Sequence, residues 1–472
     1  MKKSLLWAVV LTLSILMVVV FSLAGCTAAA ETTTAAETTT AAETTTAAET
    51  AAAAETTTGE PVNLVMWVGG QWEFPNVPYF EWFEKKAKQY HELHPNITIE
   101  MVALSDETYF TDTTAAAEAK SDVDISYCWG GIMSMQFIWK GYFEPLNNWI
   151  PKEELEKDFG VTQRMFQGNY YGYGFYIAGK PLFYNKAILS KAGVKAEDLG
   201  EWDTFIEACE KIKKAGYIPL AIGGGDGWYG GYHLGDFGSQ TLTEKDIMEM
   251  SVGDRSFTEE PFLVMWNKLE ELVKNKDIPK DAATLGLFPA MELFERKEAA
   301  MTLAVDSMAS HYTDVLGDDL GITTMPVYGN LPSAKGYVFE SQGAVMTSWS
   351  KHKREAADFL MWLHTPEIMA DCYKETGILF PNKDFPKDLI AGKPVLEYIW
   401  GKVSQGDYAQ WMENFYPVMV DEQGAFAQTP GFMLGEISPL EFTKTLDVVA
   451  KKWRDTNPEE LKNFKIWMED YK

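Results

Sequence analysis

An α/β fold is predicted by one strand–helix–strand pattern near the start of the globular sequence and by clear helix punctuation near its end. Val62 to Val68 is a short β-prone run that stops at Gly69-Gly70. A helical stretch follows, with Phe80, Phe83, Ala87 and Tyr90 at three- and four-residue spacing on one face. His94-Pro95-Asn96 breaks it, and Ile97, Ile99 and Met101 then alternate as a second strand. Strand, helix and strand within about 40 residues make a βαβ unit, which implies a parallel sheet with helices on its faces.

The later helices are as legible. Lys351 to His364 places Ala356, Phe359, Leu360 and Leu363 on one side. Thr365-Pro366 reads as an N-cap followed by Pro at the first helical position, and Gly377 can close that helix. A chain of 472 residues is too long for a single core, so two or more domains are expected.

The first sixty residues are not part of that fold. Lys2 and Lys3 precede an apolar run from Leu5 to Phe21, which meets Leu23-Ala24-Gly25-Cys26. A basic start, a short apolar core and small residues describe a secretory signal, and the run is short for a membrane span. Leu-Ala-Gly-Cys resembles the bacterial lipobox, which implies cleavage after residue 25 and a lipid on the sulfur of Cys26. The alternative is a permanent N-terminal anchor helix; both tether the chain to a membrane with its bulk outside the cytoplasm. Residues 27–60 contain only Ala, Thr, Glu and one Gly, with Glu at 31, 37, 43, 49 and 55. A period of six builds no apolar face, so the stretch 26–60 reads as a lipidated Cys and a disordered linker.

Charge and cysteine content exclude several classes of function. The net charge is −27, and setting aside Lys2, Lys3 and the six Glu of the first sixty residues leaves −23 on residues 61–472. That balance speaks against nucleic acid, whose phosphates attract Lys and Arg. Cys128, Cys209 and Cys372 have no metal-ligand spacing and no clustered His, so neither a metal nor another cofactor is expected. No nucleophile elbow, zinc HExxH motif or P-loop occurs.

Two stretches combine Gly with aromatics: Gly168 to Tyr176, and Gly223 to Gly238 with Trp228, Tyr229, Tyr232 and His233. Gly lets a backbone approach a ligand closely and aromatics offer flat apolar faces, although such rings also plug core edges.

Taken in order, several segments resemble the extracellular solute-binding proteins of bacterial ABC importers, in particular the sugar-binding group related to maltose-binding protein. They are Asp122-Val123-Asp124-Ile125 followed by Lys140 to Leu146, Gly172-Tyr173-Gly174 to Lys186, Phe294 to Met301, Lys353 to Leu363, and Thr376-Gly377 to Pro381. The resemblance spans nearly all of 61–472. It implies two lobes, each a mainly parallel sheet flanked by helices, joined by hinge strands with the ligand between them. By resemblance the N-terminal lobe is 61–175 plus 340–368 and the C-terminal lobe 176–339 plus 369–472. Ala304 to Met308 lacks a Trp that the family often has there, which puts that Trp's sugar contact in doubt.

A sugar presents C–H faces to aromatic rings and hydroxyls to polar side chains. In open α/β sheets the ligand groups sit on loops at the carboxyl ends of strands. Four loops hold the right mixture: Trp72 and Glu73 after the first strand, Trp129 after the Asp124-Ile125 strand, Asp226 and Trp228, and Asp306 with Ser307. Trp129 lines up with a sugar-stacking Trp of the maltose-binding relatives. Glu340, with Ser341 and Gln342, and Phe432 are further candidates. The competing role of each Trp is core packing, and of Asp226 and Asp306 a turn or helix cap.

No Arg falls in these loops, which with the acidic balance favours a neutral saccharide over an anion. A cationic solute such as a polyamine also suits carboxylates and aromatics. The expected partners are the saccharide, ABC permease subunits and the membrane through the N-terminal lipid, with the protein acting as a monomer. The alternatives are a secreted carbohydrate-active enzyme, which would need a pair of carboxylates, and a surface adhesin.

Overall fold

The structure, a computed structural model, describes residues 59–471 apart from 71–73, 75 and 228–236. The signal and almost all of the linker, Cys26, Trp72, Glu73 and Trp228 lie outside the described residues.

The predicted βαβ unit is present. Strand β1 (Val62–Val68) runs parallel to β2 (Ile97–Ala103) in register from Val62↔Ile97 to Val68↔Ala103. The helix Tyr79–Leu93 links them and buries Tyr79, Trp82, Phe83, Lys86, Ala87 and Tyr90. Strand β3 (Ile125–Cys128) joins β1 in parallel, and the short β4 (Phe143–Glu144) follows. A small hairpin of β5 (Met165–Phe166) and β6 (Asn169–Tyr170) leads into β7 (Tyr173–Gly179).

Only Lys180 and Pro181 separate β7 from β8 (Leu182–Asn185), the first strand of a second sheet. That sheet adds β9 (Ile218–Ala221), β10 (Ala299–Leu303) and β11 (Leu320–Thr323) in the order β11-β8-β10-β9. The helices Trp202–Lys214 and Leu287–Glu295 pack on β9 and β10. The chain then returns through β12 (Tyr337–Thr347), buried at all 11 positions, and later adds β13 (Tyr408–Gln410) beside it. The first sheet has the order β13-β12-β3-β1-β2, with β4 and β7 also on β12.

Both sheets are mixed, where the sequence suggests mainly parallel ones. Strand β12 is antiparallel to β3, β4 and β7, and β8 is antiparallel to β10 and β11. The departing strand β7 and the returning strand β12 run side by side, so they point in opposite directions. The lobe boundaries expected at 175/176 and 339/340 fall inside these two strands. The C-terminal segment, expected whole in the second lobe, sends β13 into the first sheet. It also packs the helix Pro458–Met468 on Trp139, with ring centroids 6.2 Å away at Phe464 and 6.0 Å at Trp467.

The helix punctuation is as expected at the C-terminal end. Lys353–Leu363 buries Ala356, Phe359, Leu360 and Leu363, and Pro366–Thr376 starts at Thr365 and ends on Gly377 at φ 75°. Cys128, Cys209 and Cys372 are buried thiols.

A buried polar network fixes β7 to β12. Arg164 and Asp158 are fully buried and pair at 3.1 Å. Ser341 on β12 donates from Oγ to Asp158 at 2.9 Å, and its backbone N–H donates to Gln163 at 2.7 Å. Gly174 N–H on β7 reaches the same Asp158 carboxylate at 2.9 Å. The strands approach so closely here that a Cβ on Gly343 would fall 1.9 Å from the Tyr173 carbonyl oxygen. Removing one partner of a buried ion pair leaves the other charge uncompensated, at a cost of about 3–5 kcal/mol. Arg164→Met is therefore expected to destabilise the folded chain by about that amount in urea unfolding; a loss under about 1 kcal/mol would show that the pair does not hold the strands.

Candidate functional site

A cleft of about 450 Å³ lies where the two sheets meet across β7 and β12. One wall comes from the carboxyl ends of β1, β2 and β3, as open α/β sheets require. Gly70 follows β1, Asp106 and Glu107 follow β2, and Trp129 follows β3; Phe110 and Met133 come from the helices behind them. The floor is the hinge pair: Tyr176 and Ala178 of β7 and Gln342 of β12. Gly227, Leu287 and Val305 line the cleft from the second sheet's side, and a C-terminal segment carrying Trp411, Glu413, Asn414, Asp421, Glu422 and Phe426 completes the lining. Phe74 on the first side meets Phe288 on the second edge-to-face at 5.4 Å.

Strand alternation explains which hinge residues face where. Side chains point to opposite faces at successive positions, so Glu340 and Gln342 share one face and Ser341 takes the other, toward Asp158 and Arg164. The register of β12 against β7 slips between Gln342 and Gly343, a bulge of the kind that re-aims side chains beside a site. Gln342 accepts from the hydroxyls of both Tyr127 and Tyr176, which sit 2.9 Å apart.

Trp129 is half-buried on the cleft wall, wedged edge-on against Tyr109 at 4.4 Å and Tyr127 at 4.9 Å. Glu340 is buried behind it. Its Oε1 accepts from the backbone N–H of Gly130 and from Asn414 Nδ2 at 3.1 Å, and its Oε2 accepts from Gln342 Nε2 at 2.6 Å. One carboxyl thus ties the Trp129 loop, the hinge and the segment that carries Trp411. Burial pushes the Glu340 carboxyl up to about 7, against the pull of these donors.

Asp306 is buried against the hinge, accepting from Tyr337 Oη at 2.7 Å, and burial raises it to about 7. A Cβ on Gly179 would fall 2.5 Å from its Oδ2, so the glycine makes room for the carboxyl. Ser307 is buried too, and its Oγ has no hydrogen-bond partner among the described residues. Neither residue lines the cleft; their neighbour Val305 does.

Asp226 acts at a helix end. Its Oδ2 accepts from Leu287 N–H at 3.0 Å, at the start of the helix Leu287–Glu295, where a carboxylate meets the positive end of the helix dipole. It holds Gly227 and Leu287 in the wall without lining the wall itself. Phe432 does not line the cleft either: it is core, with its ring 5.6 Å from Trp266 and 5.5 Å from Phe442. Phe426, six positions earlier, faces the cleft instead.

Sequence reasoning passed over Trp411, Glu413, Asn414, Asp421 and Glu422. The signal was the run Gln410-Trp411-Met412-Glu413-Asn414, an aromatic beside groups that bind hydroxyls. Lys180, the first residue after β7, lies 3.7 Å from the centre of the Trp411 ring and pairs with Glu413. Burial, then the charge of Glu413, holds the Asp421 carboxyl well above the usual range; burial alone raises Glu422. Among the described residues, no group of three His, Cys, Asp or Glu side chains could hold a metal ion, and no helix is long and apolar enough to cross a membrane.

The model of the bacterial extracellular solute-binding protein family matches residues 75–370, and the chain belongs to that family. It is 24% identical over 320 residues to an uncharacterized ABC transporter extracellular-binding protein of Pyrococcus horikoshii, covering 65% of this chain and 70% of the relative. Over a shorter stretch of 85 residues it is 31% identical to the arabinooligosaccharide-binding protein of Bacillus subtilis, covering 17% of this chain and 20% of that one. Among solved structures, a chitin oligosaccharide binding protein superposes with a TM-score of 0.72 at 18% identity, covering 84% of this chain and 99% of the other. The GacH receptor of Streptomyces glaucescens, solved with acarbose, gives 0.67 at 16% identity, covering 84% and 100%. The fold is thus that of the two-lobed binding proteins, and the family and these neighbours bind solutes rather than turn them over.

The Glu340 network has a pH signature. A carboxyl raised from its ordinary value to about 7 stabilises the fold at low pH, and that stabilisation is lost as pH rises toward 7. The slope from one such group approaches about 1.4 kcal/mol per pH unit. Between pH 5 and 8 the Tm of Glu340→Gln is expected to fall less steeply than that of the parent chain; parallel curves would remove Glu340 from the account.

Proposed function

We propose that this chain captures a saccharide between its lobes and delivers it to an ABC permease. The observation that carries the reading is the cleft itself, lined by Trp129 and Trp411 together with Gln342, Asn414 and several carboxylates. Aromatic faces stack on sugar C–H surfaces, and side-chain amides and carboxylates satisfy the hydroxyls. Family membership and the sugar ligands of the structural neighbours support it.

Ligand binding to one wall closes the lobes about β7 and β12, and the permease distinguishes the closed form from the open one. The protein acts as a monomer at the outer face of a bacterial membrane. It is held there by a lipid on Cys26, which lies outside the described residues. Neither a cofactor nor catalysis enters this scheme.

A thermal-shift screen of mono- and oligosaccharides is expected to raise the Tm with at least one of them. With that sugar, Trp129→Ala and Trp411→Ala should each weaken binding about tenfold or more while leaving the far-ultraviolet circular dichroism unchanged. A shift with polyamines alone would make this a polyamine-binding protein, and release of shortened sugars by the pure chain would make it an enzyme. Expressed in a bacterium fed labelled palmitate, the parent chain should take up label and Cys26→Ala should not. Equal labelling would place the anchor elsewhere.

A further inference from the structure

The charge of the cleft says more about the saccharide than the fold does. Five acidic side chains line it: Asp106 and Glu107 on the first wall, and Glu413, Asp421 and Glu422 on the C-terminal segment. Among the described lining residues none is Lys or Arg. Lys180 is buried against Trp411 and pairs with Glu413, so it offsets the charge of that carboxylate.

Hydrogen-bond capacity leads to the same imbalance. An ionised carboxylate only accepts, whereas a sugar hydroxyl both donates and accepts. The side-chain amides of Gln342 and Asn414 are already engaged with the Tyr pair and with Glu340. Where they are ionised, the cleft carboxylates add acceptors without donors, and a ligand rich in donors fits them better than one with hydroxyls alone. An ammonium group offers three donors and a charge, and it is also attracted to the face of Trp129. Asp421 and Glu422, which burial makes reluctant to ionise, regain their charge most readily beside a cation.

We propose that the saccharide bound here is an aminosaccharide carrying at least one protonated amino group, rather than the neutral sugar that the absence of Arg alone suggests. The proposal rests on the saccharide reading above and sharpens it.

The test is titration calorimetry of the full chain with matched sets differing only at one ring position. They are glucosamine and galactosamine with their oligomers, the N-acetylated forms, and the hydroxyl forms, with spermidine alongside. The expected result is that an amino form binds at least tenfold more tightly than its acetylated and hydroxyl counterparts at low salt. That gap should shrink as salt is raised and fall severalfold in Glu422→Gln. A neutral form binding as tightly as its amino counterpart, or more so, would overturn the charge inference and leave the saccharide reading intact. Spermidine binding with no saccharide binding would overturn both, as would no binding by any member of the panel.

Discussion

Everything that this molecule presents to a ligand hangs on the antiparallel pair β7 and β12. These strands are where the two sheets meet, and their side chains are divided between two tasks. On one face Ser341 joins the Asp158–Arg164 pair, which is fully buried and locks the strands to the first sheet. On the other, Tyr176, Ala178 and Gln342 form the cleft floor. Strand periodicity makes the division possible, since residues one apart point opposite ways. The close approach at Gly343 and Gly174 lets the strands sit tightly enough for both networks to form.

The cleft walls depend on that floor. Glu340 reaches from β12 to the Gly130 backbone on one side and to Asn414 on the other. It therefore fixes the Trp129 loop against the segment that carries Trp411 without itself lining the cleft. Asp306 does something similar below β7, where it bonds Tyr337 and occupies the space left by Gly179. Both carboxyls are buried, and both are raised by that burial. Such groups cost stability when ionised.

Much of the fold was readable because local signals and packing agreed. The β1–helix–β2 unit follows the apolar periods of its residues, and the Thr365-Pro366 start and Gly377 stop mark a helix where they should. What the pattern could not give was strand direction: β12 is buried at every position, polar Glu340, Ser341 and Gln342 included, so it shows no alternation of apolar and polar residues to say which neighbours it pairs with. Trp129 was legible as a cleft residue because it ends a strand in a known kind of loop. Asp226 shows the limit, since an acidic residue in a Gly-rich turn reads alike as a ligand group and as a helix anchor, and only the bond to Leu287 separates them. Trp411 and its neighbours were missed because β13 and the turn after it come from a distant part of the chain. No local period announces that a segment beginning 64 residues past the end of β12, at Trp411, will complete the cleft.

The central claim is that a saccharide sits between Trp129 and Trp411 above the hinge strands. A crystal structure of the chain with the sugar that raises its Tm most would test it directly. The account predicts sugar rings against both indole faces, with polar groups of the ligand reaching Gln342, Asn414 and the cleft carboxylates. A sugar bound outside the cleft, or inside it without touching either Trp, would contradict the account.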